Sequence, residues 1–386
     1  MKIVALGLRG VPNVMGGVET HCEQLYPRMR IVAPDIRITV IARALYVPEG
    51  RATFQGVDIR PIPAIKNIYL EAVTHTFVGL LYARFAERAD VVHIHAIGPG
   101  LLIPLAKLLG LPVVFTHHGE DYNREKWNGL AKMALRLGEA QAVRFADRMI
   151  SVSRPVARSL MERNPALTNR ISMIPNGAAV GQWLEADGSA AADALRRLDL
   201  EPGGYVMTVA RLVPEKGIHD LVDAASDLPD GMKLVIVGGA QMKSAYAEKL
   251  LARASERVIF IGELPRDDIT PLYANTALFV LASYHEGMPI VALEALSSGA
   301  RVLLSDIAPN KDLDLSADNY FPVGNVAALR AKLSAIEDVP RANADVILLK
   351  YDWNVIARET VELFRVVVGK DDFAGVGFNA ADDGRA

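Results

Sequence analysis

The chain has 386 residues, 51% hydrophobic and 23% charged, a mix that excludes a disordered or fibrous protein and leaves room for two domains of about 180 residues, each able to bury a core without staples. Its 42 Lys and Arg against 45 Asp and Glu give a net charge of -3, so no overall basic field recruits nucleic acid. One cysteine, Cys22, permits neither an internal disulfide nor a cysteine zinc cage, and this fits a reducing, cytoplasmic setting.

The six apolar residues 3–8 stop at Arg9. That run is too short for the apolar region of a signal peptide and reads as a buried first strand. Further short, β-branched runs fall at 37–42, 57–62, 90–95, 112–117 and 148–153, with helical patterns between them. The series pauses over 176–204, where Asn176-Gly177 and Pro202-Gly203 mark turns around an Ala-rich helical piece, and then restarts at 205–210, 233–238, 257–261, 278–282 and 301–305. Near-continuous apolar strands alternating with helices predict parallel sheets covered on both faces. The restart predicts two α/β domains, with a boundary near residues 175–200. Residues 353–368 repeat apolar positions at helical spacing, and the Asp-, Gly- and Ala-rich tail beyond 370 is expected to fray. No run of 18 apolar residues occurs, so no membrane-spanning helix is expected.

In open parallel sheets ligands bind beyond the carboxyl ends of the strands, so the loops after strands carry the candidates. The first loop, residues 7–19, brings Gly16 and Gly17 to the start of a helix near Glu19. Backbone and helix terminus there suit an anion, although the loop is neither a Walker A sequence nor a Gly-x-Gly-x-x-Gly fingerprint. A plain strand-to-helix connection is the competing expectation.

After the strand 205–210 come Arg211 and Lys216, a fork and a point charge able to neutralise a diphosphate. An exposed Glu215–Lys216 pair is the alternative. After the strand 278–282 comes the segment 284–296. Glu286 lies in the turn, Gly287 allows close approach, and Pro289 suits a first helical turn. The amides of Gly287, Met288 and Ile290 are placed to face an anion. Glu294 follows among apolar neighbours, where a carboxylate needs partners. A ribose diol would supply them, and so would a buried ion pair or a solvent-facing notch.

Four histidines, His93, His95, His117 and His118, crowd two strand ends. His93 and His95 share a strand face and are expected to be satisfied core residues; a metal pair would need further ligands, and no metal is assigned. His118 is the candidate for a hydrogen-bonding group at the ligand. Asp312-Leu313-Asp314 is expected to be a solvated loop, and no Gly-x-Ser-x-Gly elbow supports covalent acyl chemistry. Residues 66–88 mix apolar positions with Lys66, Arg84 and Arg88. They are a candidate for peripheral membrane contact against the competing expectation of one apolar stripe packed on the sheet.

The spacing of Glu286 and Glu294 matches a Glu-x7-Glu motif. Together with Arg211 and Lys216, in this order, it resembles the retaining family-4 glycosyltransferases, and the resemblance runs from Gly16-Gly17-Val18-Glu19 to Tyr351-Asp352-Trp353. The stretches 93–99, 116–121 and 126–127 resemble a bacterial surface-polysaccharide, rhamnosyltransferase-like subgroup. The resemblance implies a GT-B fold, two doubly wound Rossmann-like domains facing across a cleft. An acceptor domain would cover 1–180 and a nucleotide-sugar domain 181–350, with a helix over 351–370 returning to the first domain and a flexible tail over 371–386.

It also implies the residue roles. Arg211 and Lys216 would stabilise a leaving diphosphate, and Glu294 would bind the ribose. Glu286 and the backbone of Gly287, Met288, Pro289 and Ile290 would hold the donor sugar. His118 would sit near the reacting sugar, and Gly16 and Gly17 would line the diphosphate side. Arg9, Asp121, Lys126 and Trp127 are the acceptor candidates. The donor would be a nucleotide-diphospho-sugar and the acceptor a glycan or lipid-linked sugar, with no cofactor or metal. A sugar-nucleotide epimerase of the same architecture and a non-catalytic sugar-nucleotide sensor are the alternatives.

Overall fold

The computed structural model describes residues 1–47, 50, 52–67, 70–120, 122, 127–178, 188–240 and 244–369. They form two compact units. One comprises Met1–Gly177 and the chain from Trp353 onward; the other is Ala178–Asp352.

The first unit is built on eight strands: β1 (Lys2–Leu6), β2 (Arg37–Arg43), β3 (Ala52–Phe54), β4 (Val57–Ile62), β5 (Val91–His95), β6 (Val113–His117), β7 (Arg148–Ser151) and β8 (Ile171–Met173). Their order is β3-β4-β2-β1-β5-β6-β7-β8. All neighbours are parallel except β3 and β4, which pair antiparallel from Ala52–Ile59 to Phe54–Val57. An all-parallel sheet was the expectation. The exception is a hairpin edge in which Gln55 and Gly56 both take positive φ, the backbone a tight primed turn requires.

The central strands read as continuous apolar runs because helices cover both faces. On one face Leu25, Tyr26 and Met29 of the helix Gly17–Val32 pack with Trp353, Ile356, Val361 and Phe364 of the helix Trp353–Val367. On the other face Leu80, Ile97, Ile103 and Ala142 close over Leu6, Ile94 and Phe115. The helix Glu71–Tyr82 and the π-helical turn Ala83–Glu87 do bury one stripe against the sheet, His75, Thr76, Gly79, Leu80 and Ala83, but it leaves several of their apolar side chains outside. Leu80 and Ala83 are buried, but Leu70, Phe77 and Phe85 face solvent at 49%, 45% and 69% exposure, beside exposed Arg84 and Arg88.

The second unit has six parallel strands, β9 (Tyr205–Val209), β10 (Lys233–Val237), β11 (Val258–Gly262), β12 (Leu278–Leu281), β13 (Val302–Ser305) and β14 (Tyr320–Phe321), in the order β11-β10-β9-β12-β13-β14. Val206, Leu234, Ile236, Val280 and Leu303 form its core with Leu221, Leu329 and Leu333 from the flanking helices. Among the described residues no helix is long and apolar enough to cross a membrane.

Each sheet therefore reverses its strand order once beside its first strand: between β1 and β5 in the first unit, and between β9 and β12 in the second. Loops leaving adjacent strands in opposite directions open a crevice at such a point, where ligands of this architecture bind.

Candidate active site

The second unit's switch point collects the residues singled out after β9 and β12. Beyond β9, Pro214–Lys216 form one 3-10 turn and Gly217 takes φ +62° before the helix Ile218–Ala224. A Cβ on Gly217 would overlap the carbonyl oxygen of Ala282, so only glycine lets this loop lie against the end of β12. The Tyr284 amide donates to the Glu215 carbonyl at 2.9 Å, which ties the two loops together.

Lys216 Nζ then lies 2.5 Å from Glu286 Oε1, with side chains 17% and 10% exposed. Ser283 Oγ donates to the same oxygen at 2.7 Å. The exposed Glu215–Lys216 pair is not what forms: Glu215 is buried, and Lys216 reaches across to Glu286. Arg211 lies half-buried in the same loop.

The helix Ile290–Ser297 opens four residues after Glu286, and Gly287, Met288, Pro289 and Ile290 are all buried at its start. Glu294 sits on the second turn, held from one neighbouring helix, Arg266–Asn275. Arg266 Nη1 pairs with its Oε1 at 2.7 Å, an ion pair without the alignment of a hydrogen bond, and Tyr273 Oη donates to its Oε2 at 3.1 Å. These partners answer the desolvation cost of a carboxylate in apolar company. Burial, reinforced by Glu294, holds the Tyr273 hydroxyl well above the usual tyrosine range, so it stays a donor. Nothing in the spacing of residues 266–275 announced this role, because only the tertiary packing brings that helix alongside.

In the first unit the loop after β1 is locked from within. Arg9 presents a fork to Glu19: Nε donates to Oε1 at 3.0 Å and Nη2 to Oε2 at 2.9 Å, while Nη2 also donates to the Met15 carbonyl at 2.6 Å. Burial opposes both charges, but the mutual pairing outweighs it, raising the Arg9 pKa and lowering that of Glu19. Gly16, at φ +153°, leaves the space this pair fills; a Cβ there would overlap Glu19 Oε2 and Arg9 Nη2. Arg9, an acceptor candidate, thus commits its guanidinium to shaping the loop. Gly17 begins the helix and meets nothing a Cβ would strike.

His118 follows β6, half-buried, with Nε2 2.9 Å from His95 Nδ1. His93 and His95 are fully buried on one face of β5, their ring centroids 4.0 Å apart. Tyr26 Oη bridges them, 2.9 Å from His93 Nδ1 and 2.6 Å from His95 Nε2, and Thr116 Oγ1 lies 2.7 Å from His93 Nε2. The expectation of satisfied core histidines holds for both. Burial, then the neighbouring imidazoles, keeps His95 and His118 well below the usual histidine pKa, so His118 meets a ligand as a neutral ring.

His117 points elsewhere. Its Nδ1 accepts from the Gly119 amide, so Nε2 carries the proton toward Glu139 Oε1 at 2.9 Å, and Arg163 joins Glu139 at 3.1 Å. Glu120 pairs with Arg163 at 3.4 Å. Trp127 is half-buried just ahead of the helix Gly129–Phe145, while the acceptor candidates Asp121 and Lys126 lie outside the described residues. Asp312 is buried, contrary to the solvated loop expected of 312–314, and Asp314 pairs with Lys350 at 2.9 Å.

Comparison with known proteins places these units. Residues 15–181 match the family model described as Glycosyltransferase Family 4, and residues 197–347 the one described as Glycosyl transferases group 1. The alpha-maltose-1-phosphate synthase of Mycolicibacterium smegmatis is 26% identical over an alignment of 398 positions, covering 95% of this chain and 100% of the relative. The 2-deoxystreptamine N-acetyl-D-glucosaminyltransferase of Streptomyces fradiae is 27% identical, covering 91% and 86%. The crystal structure of Anabaena HepE in complex with UDP and glucose superposes with a TM-score of 0.77 at 18% identity, covering 95% of this chain and 100% of that one, a likeness of fold. With a Glycosyltransferase Family 4 segment on the first Rossmann-like unit and a group 1 segment on the second, the chain is a glycosyltransferase of the GT-B fold.

Proposed function

We propose that the chain transfers a sugar, with retention of configuration and without a divalent metal, from a nucleotide-diphospho-sugar to a hydroxyl of a glycan or glycolipid acceptor in bacterial surface-polysaccharide synthesis. The observation that carries this reading is the Lys216–Glu286 pair at 2.5 Å beside the opening of the helix Ile290–Ser297. Glycosyl transfer leaves a diphosphate anion and an oxocarbenium-like sugar. Arg211, Lys216 and the first amides of that helix are fixed positive groups that stabilise the anion most as the bond breaks. Glu286 already accepts Lys216 and Ser283 on Oε1, and its Oε2 accepts a sugar hydroxyl in this reading. Glu294 uses its remaining lone pairs for the ribose diol, and neutral His118 hydrogen-bonds the reacting sugar. The acceptor hydroxyl attacks on the face the diphosphate leaves, and the diphosphate takes its proton. The first unit carries the acceptor. The transferred sugar is a hexose or deoxyhexose, a reading supported by the stretches 93–99, 116–121 and 126–127.

Two experiments test this. In a thermal-shift screen of UDP-, GDP-, ADP- and dTDP-sugars, the true donor raises the melting temperature by mass action, and with acceptor present a nucleoside diphosphate is released. On that substrate Lys216→Ala lowers turnover by about 10²–10³-fold, the scale of one lost donor to a developing anion, and Glu294→Ala weakens donor binding. Near-wild-type activity in both variants would refute the assignment. Conversion of the donor without acceptor would favour an epimerase, and binding without turnover a sensor.

We further propose that the enzyme works at the inner face of the membrane, through the exposed Leu70, Phe77 and Phe85 with Arg84 and Arg88. Apolar residues flanked by cations suit an anionic bilayer surface. Flotation with anionic liposomes is expected to carry the protein, and F77S/F85S to abolish it. Wild-type protein staying at the bottom of the gradient sinks this part.

A further inference from the structure

Four of the eight histidines and one asparagine meet toward the carboxyl ends of β5 and β6, and a buried nitrogen of His21 is left over. His21, on the helix Gly17–Val32, is 2% exposed, and its Nδ1 lies 2.8 Å from Asn176 Oδ1. A carbonyl oxygen only accepts, so Nδ1 carries the proton and Nε2 is a bare lone pair. That Nε2 is buried and meets no hydrogen-bonding partner. The ring faces His118 with centroids 4.9 Å apart and His95 at 5.7 Å.

The other two rings are already joined: His95 Nδ1 and His118 Nε2 share a hydrogen bond of 2.9 Å, and Tyr26 Oη holds His95 Nε2 at 2.6 Å. One ligand nitrogen from each of His21, His95 and His118 lies within 4.8 Å of the other two.

We infer that His21, His95 and His118 form a binding site for a single transition-metal ion of the zinc class. Three neutral imidazoles are the donor set zinc takes in three-histidine sites, with a fourth position left open. An all-nitrogen set selects zinc, copper or nickel and not magnesium or calcium, which take oxygen. Bonds of about 2.0–2.1 Å in a tetrahedron put ligand nitrogens roughly 3.3 Å apart, so His21 has to swing inward while the other pair is already close. Asn176 and Tyr26 are the outer partners that fix ring tautomer and orientation at such sites. No ring has to be ionised: the proton between His95 and His118 shifts to the far nitrogen of its own ring as the ion replaces it. The ion has no step in glycosyl transfer, where Arg211 and Lys216 supply the charge: His118 ligates through Nε2 and keeps Nδ1 for the sugar, and the ion clamps the first helix to the ends of β5 and β6.

The test uses the full-length chain without a histidine tag, stripped with chelator and titrated with zinc or cobalt chloride. One equivalent binds, cobalt gives the visible bands of a tetrahedral site, zinc raises the melting temperature by several degrees, and magnesium does neither. His21→Gln weakens zinc binding by at least 100-fold. Asn176→Ala leaves all three ligands in place but weakens it by about 10-fold, the usual effect of losing an outer partner; this variant carries the test if His21→Gln fails to fold. Absence of saturable zinc binding, or binding that both variants leave unchanged, overturns the inference and makes a buried water the partner of His21 Nε2.

Discussion

The carboxylate of Glu294 is gripped twice from one helix, by Arg266 and Tyr273 seven residues apart. If Glu294 holds the ribose, these two groups set its position. Arg266→Ala should then raise KM for the donor by about tenfold, roughly 1.4 kcal/mol, and leave kcat within twofold, since it touches no reacting atom. Equal losses in kcat and kcat/KM would place Arg266 at the transition state instead. The histidine cluster makes a second prediction at this scale. Burial lowers the His21 pKa to about 4, and burial puts His93, His95 and His118 well below the usual value. Unfolded histidines titrate near 6.5. Between that value and the depressed folded ones the unfolded chain binds protons the folded chain refuses, so stability is full above pH 6.5 and falls as the pH drops, by about 1.4 kcal/mol per unit for each uncoupled histidine. The urea midpoint at pH 5.5 should lie clearly below that at pH 7.5; equal midpoints would mean that the rings are solvated. The glutamate spacing and the crowded histidines were legible in the sequence. Arg266, Tyr273 and Asn176 were not, because no local pattern distinguishes a residue that meets its partner only after folding.

At the scale of elements, the helix Trp353–Val367 matters most for the first unit. Phe364 is fully buried and meets the His93 ring edge-on, with centroids 5.1 Å apart. Phe364→Ala leaves a cavity against the sheet and should cost ~3–5 kcal/mol, read as a lowered urea midpoint with unchanged m-value. A loss below ~1 kcal/mol would show that the helix is loosely docked. This helix was readable because apolar residues recur at its period over four turns, and the central strands because both their faces are buried. The strands β3, β8 and β14 have only two or three residues, too few to display a period. The helix Glu71–Tyr82 was hard to orient for another reason: polar His75 and Thr76 are buried while Phe77 and Val78 are exposed, so hydropathy alone cannot say which residues the sheet takes and which stay outside.

For the whole molecule, the two units differ in how the chain builds them. The second is one continuous stretch, Ala178–Asp352, whereas the first needs the segment from Trp353 onward, whose Trp353 side chain packs against Gly177. A fragment of residues 178–352 should therefore unfold cooperatively on its own. A fragment of residues 1–177, with Leu25, Tyr26 and Met29 uncovered, should expose hydrophobic surface and bind the dye ANS. A 1–177 fragment that folds tightly without the final helix would contradict this.

The fold class, the repeated α/β pattern and the loops that carry charge and glycine follow from the amino-acid order, because periodicity, turn chemistry and strand burial are local properties. The partners came from packing. It turned Lys216 to Glu286 and not to its neighbour Glu215, closed Arg9 onto Glu19, and left one nitrogen of His21 facing two other imidazoles. The physical reason is that a buried charge or lone pair takes whatever group the packing brings within about 3 Å, and the packing is settled by apolar surfaces far away in the chain.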